Sequence, residues 1–459
     1  MFTGNTLNLV GYRGSVTGIA NFQNYNWTLP SDVVNGQTLI TITGDTGVNM
    51  DNTVHTVLSM DANGNRLKAG DTVTLIDKTT GTLPVSNNSQ HFNQGSFITY
   101  DATLAQTGTG DDALVLTIDS KTGELNPQSK AYSEGRAASL GFVRQGNNLI
   151  AGNIASLRAE TGGAAAGSLT PFFIGGGASQ RLDTGSHVNV DGFNMLTGAA
   201  TSLDLDARHH ATLGAFFEYG SASYDTYNSF TGFAPVRGSG TGDYIGGGVF
   251  GRLDFAGTGL GRVERLAPGQ SDGFYLDASL RAGRASSDFD IGANADVLGG
   301  FGGNYRGAYD STSTYYGGHI GGGYAANFDA KQSLDVYGRY LWLSMQADTA
   351  MVGIEALHFG SALSSVAQVG ARYSYAYSDR FRPYVGVAYE YEFDGDIAAR
   401  AYEFQLDRPS LKGGTGVFEA GFNLRPVAGN DALNLTVSGQ AYVGEVEGGG
   451  GYAKLTYKF

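Results

Sequence analysis

The chain lacks several features that would each point to a particular class of protein. It has no cysteine among its 459 residues, which excludes disulfide bonds and thiolate metal sites. It has no apolar run of about 18 residues, which excludes a transmembrane α-helix but not a β-barrel, whose strands need only about 10 alternating residues. It has no basic run and a formal net charge of −14, which argues against a nucleic-acid partner. Proline is scarce at 9 residues, whereas 71 Gly, 26 Tyr and 25 Phe favour many strands and turns.

The first 128 residues contain short apolar segments separated by Gly, Asn and Asp. These segments are 38–43 (TLITIT), 72–77 (TVTLID) and 113–119 (ALVLTID). Short strands at irregular spacing fit either a sandwich or the last rungs of a β-solenoid, and we favour the solenoid. The N-terminus, MFTGNTLNLVGYRGS, lacks the basic start and apolar core of a signal peptide. Either the protein is not exported, or the sequence is the C-terminal piece of a longer precursor.

Residues 130–158, KAYSEGRAASLGFVRQGNNLIAGNIASLR, form the one segment with helical spacing. Its apolar residues recur every three or four positions and are Leu140, Val143, Leu149, Ile150, Ile154 and Leu157. Each glycine would cost a free helix about 1 kcal/mol, so the surroundings must enforce the helix. It is either an interdomain linker or a helix threaded through a barrel of about twelve strands, whose lumen barely admits a helix about 10–12 Å wide.

From residue 168 onward, apolar and polar residues alternate with period two. The alternation predicts about twelve strands at 168–181, 190–206, 209–224, 240–256, 271–288, 311–328, 331–347, 362–378, 381–395, 413–425, 432–444 and 449–459. Most are longer than the roughly 5–6 residues of soluble strands, which indicates membrane spans. Short connections between the strands also alternate with long ones, as in membrane barrels. The long connections are predicted at 225–239, 289–310, 349–361 and 396–412. The one exception is 257–270, which is longer than a periplasmic turn should be.

The order of these segments resembles the translocator unit of monomeric autotransporters, the type V secretion proteins. The resemblance rests on the helix segment, on PSLKGGTGVFEAGF (409–422), on the terminal YKF and on NFQNYNWTLP (21–30). The last of these resembles the folding nucleus of passenger domains and contains Phe22, Tyr25 and Trp27. The implied fold is all-β: a 12-stranded antiparallel transmembrane β-barrel with a helix through the lumen, preceded by the end of a β-solenoid. The implied parts are a passenger stub (1–129), a linker helix (130–166) and the translocator barrel (167–459).

The resemblance also implies a function and partners. The chain would export and display its own N-terminal passenger across the bacterial outer membrane, with residues 1–129 at the cell surface and the helix plugging the pore. Its partners would be the outer-membrane bilayer, the barrel-assembly machinery, periplasmic chaperones and its own passenger. The C-terminal assembly signal would comprise Leu455, Tyr457 and Phe459. No cofactor or metal is expected. A surface adhesin is the alternative, followed by an outer-membrane hydrolase.

The alternation also places many charged side chains on the lumen face. They are Asp204, Glu218, Arg252, Asp254, Asp277, Arg281, Asp335, Arg339, Arg372, Glu390, Glu392 and Glu419. On the lipid face, each Arg or Lys near the midplane would cost about 2–4 kcal/mol. We expect Arg136, Arg144 and Arg158 of the helix to lie against the lumen carboxylates. A solvated pore wall without helix contacts is the alternative.

Two short motifs raise the question of enzymatic activity. The pair Asn147-Asn148, followed by Leu149, resembles the cleavage site of self-cleaving autotransporters, where an Asn side chain cyclises onto its own carbonyl group. The charged surroundings of that subgroup are missing here, so we expect no enzyme and keep self-cleavage as the alternative. The two Asp-Thr-Gly triplets at 45–47 and 183–185 match aspartic proteases, but they are also ordinary turn composition.

Overall fold

The computed structural model describes residues 4–61, 65–107, 112–119, 123–161, 168–206, 209–231, 233–256, 272–292, 307–427 and 432–459. Its N-terminal strands are short. They are β1 (Thr6–Val10), β2 (Gly14–Val16), β3 (Asn24–Leu29), β4 (Gln37–Ile42), β5 (Val48–Asn49), β6 (Val54–Met60), β7 (Thr72–Thr80), β8 (Ser89–Gln94), β9 (Ile98–Thr107), β10 (Asp112–Ile118) and β11 (Glu124–Leu125). A 3-10 helix lies at Val85–Asn87.

These strands form one sheet that combines parallel and antiparallel pairs. Strands β1, β3, β6 and β8 pair in parallel, and β2, β4 and β7 form a second parallel row. The antiparallel strands β8, β9, β10 and β7 then join the two rows. The three apolar segments of the sequence fall within β4, β7 and β10. Rungs of a solenoid also stack in parallel rows, so the topology is compatible with a solenoid, which stays a prediction for residues 1–129.

The core of the N-terminal sheet contains a cluster of aromatic rings. Tyr25 and Trp27 alternate inward along β3 and are buried, whereas Phe22 packs against the core from its edge. The ring of His55 stacks on Tyr25 with centroids 4.4 Å apart, and its Nδ1 accepts a hydrogen bond from Trp27 Nε1 at 3.3 Å. Because burial removes water from the charged imidazolium, the pKa of His55 falls to about 4.

The α-helix α1 (Lys130–Thr161) follows a 3-10 helix at Pro127–Ser129. The Asn126 side chain accepts a hydrogen bond from the Gln128 backbone N–H at 3.0 Å, which fixes the start of the helical segment. The helix begins at the residue where the sequence predicted it. Among the residues that the structure describes, no α-helix is both long and apolar enough to cross a bilayer.

Twelve long strands then close into a barrel. They are β12 (Thr170–Asp183), β13 (His187–Asp204), β14 (His209–Phe230), β15 (Phe233–Ala256), β16 (Gly273–Asp290), β17 (Ala308–Asn327), β18 (Gln332–Met345), β21 (Ala362–Tyr375), β22 (Phe381–Glu392), β25 (Gly413–Leu424), β26 (Leu433–Gly444) and β27 (Val446–Tyr457). Neighbouring strands are antiparallel, and β12 pairs with β27 to complete the ring. The predicted all-β fold with a 12-stranded antiparallel barrel and one helix is confirmed.

The two faces of the barrel wall differ in the way that the alternation predicted. Ile320, Val369 and Val443 point outward and are 64%, 61% and 60% exposed. Along β27, Leu455 and Tyr457 are exposed on the outer face, whereas Lys454 is buried on the inner face. Apolar side chains on the outside and polar ones inside are the pattern of a barrel that is surrounded by lipid.

Three predicted connections differ from the structure. The sequence predicts a long loop at residues 225–239, but β14 and β15 continue as a paired hairpin as far as Phe230 and Phe233. The predicted loops 349–361 and 396–412 also contain strands, namely β19 (Asp348–Val352), β20 (Glu355–Phe359), β23 (Ala399–Ala401) and β24 (Phe404–Gln405). These four form a separate sheet, which we call the loop sheet. The exceptional connection at 257–270 and residues 293–306 of the loop after β16 lie outside the described residues.

Acid should weaken the N-terminal sheet through His55. Because its pKa in the folded chain lies below the ordinary value of about 6.5, the unfolded chain binds the proton first. The contribution of neutral His55 to the free energy of unfolding is complete above about pH 6.5 and is lost as the pH falls towards 4. The total loss is about 3 kcal/mol. Urea unfolding in a Trp342→Phe background, followed by Trp27 fluorescence between about pH 7 and 4, measures the loss.

The variant His55→Gln keeps a hydrogen-bond acceptor but does not titrate, so most of the pH dependence should disappear. His91, which is exposed on the same sheet, provides the matched control His91→Gln, in which the dependence should remain. An unchanged pH dependence in His55→Gln would show that other groups cause it.

Candidate functional site in the barrel lumen

The helix α1 lies inside the barrel and is enclosed by its wall. At 1.5 Å per residue, its 32 residues extend over about 48 Å. Two groups of apolar helix residues are fully buried against side chains of the wall. The first group is Leu140 and Val143, and the second, further along the helix, is Ile150 and Ile154. A polar lumen occupied by a helix is the feature that distinguishes this barrel from an open pore.

Three glycines of the helix lie close to side chains of the wall. A Cβ atom at Gly135 would lie 2.5 Å from the Tyr309 hydroxyl, and one at Gly141 would lie 2.5 Å from Leu182. A Cβ at Gly146 would clash with the Tyr244 hydroxyl. These three glycines therefore set the distance between helix and wall.

One basic side chain of the wall binds the helix backbone. Arg281 donates from Nη1 to the Val143 carbonyl at 2.9 Å and from Nε to Glu218 at 2.8 Å. Tyr315 also donates to Glu218, at 2.8 Å. Arg281 and Glu218 have fully buried side chains, so the ion pair is shielded from solvent and its charges are balanced locally.

One basic side chain of the helix binds a wall carboxylate. Arg144 donates to Glu392 at 3.1 Å. Glu392 also accepts from the Ser365 backbone N–H at 2.6 Å and from the Ser364 hydroxyl. This is the arrangement that the sequence predicted for the helix arginines, and the predicted role of Arg144 in seating the helix stays a proposal.

The two ends of the helix are held by acidic helix residues, which the sequence analysis did not single out. Glu134 accepts from Asn228 at 2.8 Å and forms an ion pair with Lys130 at 3.3 Å. At the other end, Glu160 forms an ion pair with Lys454 of β27 at 2.8 Å. Period-two alternation along β27 puts Lys454 on the face opposite to Leu455 and Tyr457, so this partner could have been found from the sequence.

The remaining charges of the lumen bind charged or neutral polar side chains of the wall. Arg252 donates to Asp254 at 2.8 Å and lies 3.6 Å above the ring of Tyr275. Arg372 donates to Glu419 at 2.7 Å. Further contacts link Asp277 to His319, Asp335 to Tyr275, Arg339 to Gln368 and Gln368 to Glu390. The wall therefore carries charges of both signs, and each of these charges is hydrogen-bonded to another wall side chain.

Two of the predicted residues, Arg136 and Asp204, do not fit the expected arrangement. Arg136 is buried, but it donates to the Gln346 carbonyl at 2.5 Å and to the Ser311 hydroxyl at 3.4 Å rather than to a carboxylate. Asp204 has an exposed side chain at the end of β13, where it contacts His210, because the strand stops there and the wall no longer encloses it. Arg158 belongs to α1, but its side chain lies outside the described residues.

The asparagine pair occupies the middle of the helix. Asn147 is buried and donates from Nδ2 to the carbonyls of Gly318 at 3.1 Å and Trp342 at 3.3 Å. Asn148 lines a cavity of about 40 Å³ together with Arg339 and Glu390. The amide nitrogen that self-cleavage would use as a nucleophile is thus bound to the wall.

The N-terminal end of the helix contacts the N-terminal sheet. Phe97, in the turn between β8 and β9, is buried, and its ring lies 5.3 Å from that of Tyr132. Tyr132 in turn contacts Phe289 and Tyr309 of the barrel wall, with centroids 6.3 and 6.4 Å away. One aromatic cluster therefore connects the N-terminal sheet, the helix and the barrel.

A family model described as the autotransporter beta-domain matches residues 172–439. Similar solved structures include the translocator domain of the autotransporter NalP from Neisseria meningitidis, with 15% identity over 72% of this chain and 100% of that chain and a TM-score of 0.50. The beta domain of the Bordetella autotransporter BrkA has 13% identity over 64% of this chain and 100% of that chain, with a TM-score of 0.47. The transport unit of AIDA-I from Escherichia coli has 14% identity over 73% and 99%, with a TM-score of 0.46.

At this identity, the likeness to NalP supports the barrel fold alone. A comparison with curated proteins found no match. Since the family model matches more than half of the sequence, the chain belongs to the autotransporter beta-domain family.

Proposed function

We propose that the chain is an autotransporter translocation unit, which exports its own N-terminal passenger across the bacterial outer membrane and then closes its pore with α1. Membership of the family supports export of a passenger. The observation that supports the plug is the buried helix, held by Arg281 at Val143 and by Glu392 at Arg144. The charged side chains that line part of the wall, such as Arg252 and Glu419, would keep an extended chain hydrated while it passes.

The proposed function also divides the chain into three parts. Residues 1–129 are the passenger stub at the cell surface, residues 130–166 are the linker, and residues 167–459 are the translocator. Phe22, Tyr25 and Trp27 would form the folding nucleus of the stub, since two of them are buried in its aromatic cluster. The passenger would cross as a hairpin, and folding outside would make the movement irreversible because each solenoid rung templates the next.

Insertion is proposed to depend on the barrel-assembly machinery and on periplasmic chaperones. Leu455, Tyr457 and Phe459 support this step, because all three are exposed on the outer face of the chain end. The rings of Tyr457 and Phe459 lie 5.0 Å apart and form one apolar surface. Such a surface is available for recognition before the barrel is surrounded by lipid.

The rival functions are less well supported. An adhesin would use the exposed N-terminal sheet, and it would still require the barrel for display. For a hydrolase, the nearest arrangement is a hydrogen-bonded series in which Ser279 contacts His319 at 2.6 Å and His319 contacts Asp277 at 3.0 Å. All three residues are at most 3% exposed in the lumen wall, so a substrate cannot reach the Ser279 hydroxyl while the helix is in place.

Removal of the helix should open the pore. We expect deletion of residues 132–158 to leave a folded barrel, because each strand keeps both neighbours, but to give large and stable conductance in planar bilayers. The full chain, measured in the same way, should conduct little. A deletion variant that folds and stays closed would contradict the plug.

Loss of the terminal aromatic residue should impair assembly rather than stability. We expect Phe459→Ala to lower the amount of heat-modifiable barrel in the outer membrane, because the exposed ring contributes little to packing but would be recognised during insertion. Phe328→Ala is the matched control, since Phe328 is also an exposed aromatic residue beside the end of a strand. Equal amounts of barrel in the two variants would argue against a C-terminal signal.

The helix should remain uncleaved in the mature protein. Cyclisation at Asn147 requires its Nδ2 to leave two carbonyl groups of the wall, and we infer that the seated helix prevents this. Peptide mapping by mass spectrometry of mature outer membranes should therefore yield peptides that span the Asn147–Asn148 bond. A complete absence of such peptides, with fragments that end at Asn147, would establish self-cleavage instead.

A further inference from the structure

The loop sheet (β19, β20, β23 and β24) contacts the N-terminal sheet through one buried carboxylate. Glu355, at the start of β20, is only 2% exposed. Its Oε2 accepts a hydrogen bond from the Ser96 backbone N–H at 2.7 Å, and its Oε1 accepts one from the Tyr402 hydroxyl at 3.0 Å. The donors come from two different parts of the chain, namely the turn at residues 95–97 and the adjacent loop.

The turn at residues 95–97 has a shape that matches this carboxylate. Gly95 adopts φ +61°, and a Cβ atom there would clash with the Glu355 carboxylate. Ser96 also accepts a hydrogen bond from the Tyr132 hydroxyl at 3.1 Å, and its carbonyl accepts one from Asn126 at 3.3 Å. The turn is thus bound on one side by the loop sheet and on the other by the start of the helical segment.

A second group of contacts between the N-terminal sheet and the loop sheet lies around the Glu355 carboxylate. Arg66 of the N-terminal sheet forms an ion pair with Glu403 and lies above the rings of Tyr402 and Phe404, at 4.7 and 5.4 Å from their centroids. Phe404 also packs against the apolar core of the N-terminal sheet. An apolar contact, a cation–π contact and an ion pair therefore lie beside the buried hydrogen bond.

From these contacts we infer that the loop sheet is a capture site for the turn at residues 95–97, on which the exported segment docks before the rest of it folds. Burial of a carboxylate is costly unless donors compensate for the lost water, and one of the two donors described here arrives only with the turn. The site is therefore complete only when the segment is outside and docked. Phe97 enters the aromatic cluster at the mouth of the barrel in the same step.

This inference rests on the proposed export of residues 1–129. If the chain leaves the pore as a hairpin, the turn lies only about 30 residues before the helix and is among the first parts to emerge. Docking would then hold the segment beside the pore while later residues are still in transit. The partner of the loop sheet is thus a defined tight turn of the same chain, recognised by its backbone N–H and by the absence of a side chain at Gly95.

The test is the rate at which an external protease digests residues 4–119 of the full chain in the outer membrane of intact cells. We expect Glu355→Ala to raise this rate about tenfold, because a buried hydrogen bond to a charged group is lost. Asp396→Ala is the control, since Asp396 is another outer-loop carboxylate, but its partners Ser410 and Lys412 lie in the same loop. The control should leave the rate unchanged, and an equal rate in wild type and Glu355→Ala would overturn the inference.

A pair of glycines sharpens the test. Gly95 and Gly36 both have positive φ in the N-terminal sheet, but a Cβ at Gly36 would meet no atom within 4 Å. Gly95→Ala should therefore accelerate digestion several-fold more than Gly36→Ala does. In a Glu355→Ala background, where the clash is removed, the two glycine variants should be digested at equal rates. If the two glycine variants already behave alike with Glu355 present, the capture site is wrong.

Labelling of exposed Lys68 with a membrane-impermeant reagent in intact cells separates this inference from the proposed function. If wild-type Lys68 is not labelled, export itself fails as an explanation. If Lys68 is labelled equally in every variant while the digestion rates do not differ, export stands and only the capture site is refuted.

Discussion

Every strand that crosses a bilayer must pair its backbone groups on both sides, because hydrocarbon offers no hydrogen-bonding partner. The pairing of β12 with β27 satisfies this requirement by closing the ring, and it also fixes the width of the lumen. A lumen of twelve strands leaves room for one helix only if that helix is slim. The glycines at 135, 141 and 146 meet this condition, since each lies against a wall side chain. The composition of the helix is thus a consequence of the number of strands.

Enclosure by the wall also determines how charges are arranged. Arg281 and Glu218 lose water together and bind each other, and Arg281 additionally reaches the helix backbone. Buried pairs of this kind contribute little net stability, but they penalise any arrangement that leaves one partner alone. The ion pair joins two strands of the wall, and the hydrogen bond from Arg281 to Val143 links this pair to the helix.

The sequence predicted the barrel well because period-two alternation is a local property of each strand. It failed between Asp225 and Ser239, where the sequence predicted a long loop but hydrogen bonds to the partner strand extend the hairpin. It could not find the loop sheet, since β20 and β23 pair across some 40 residues and neither alternates over enough residues to be recognised. Opposite charge predicted that helix arginines would meet carboxylates, and this holds for Arg144 but not for Arg136. The charge of a side chain predicts what kind of group it will bind, whereas the packing of the folded chain determines which such group lies within hydrogen-bond distance.

The last strand has a different neighbour on each of its two faces. Residues at odd positions, such as Leu455 and Tyr457, face outward, whereas Lys454 faces inward and holds Glu160 of the helix. Under the proposed function, adjacent residues of one strand would serve separate steps, one during insertion and one after the passenger has left. A genetic screen of this strand should accordingly separate its variants into two classes by the parity of the residue number alone.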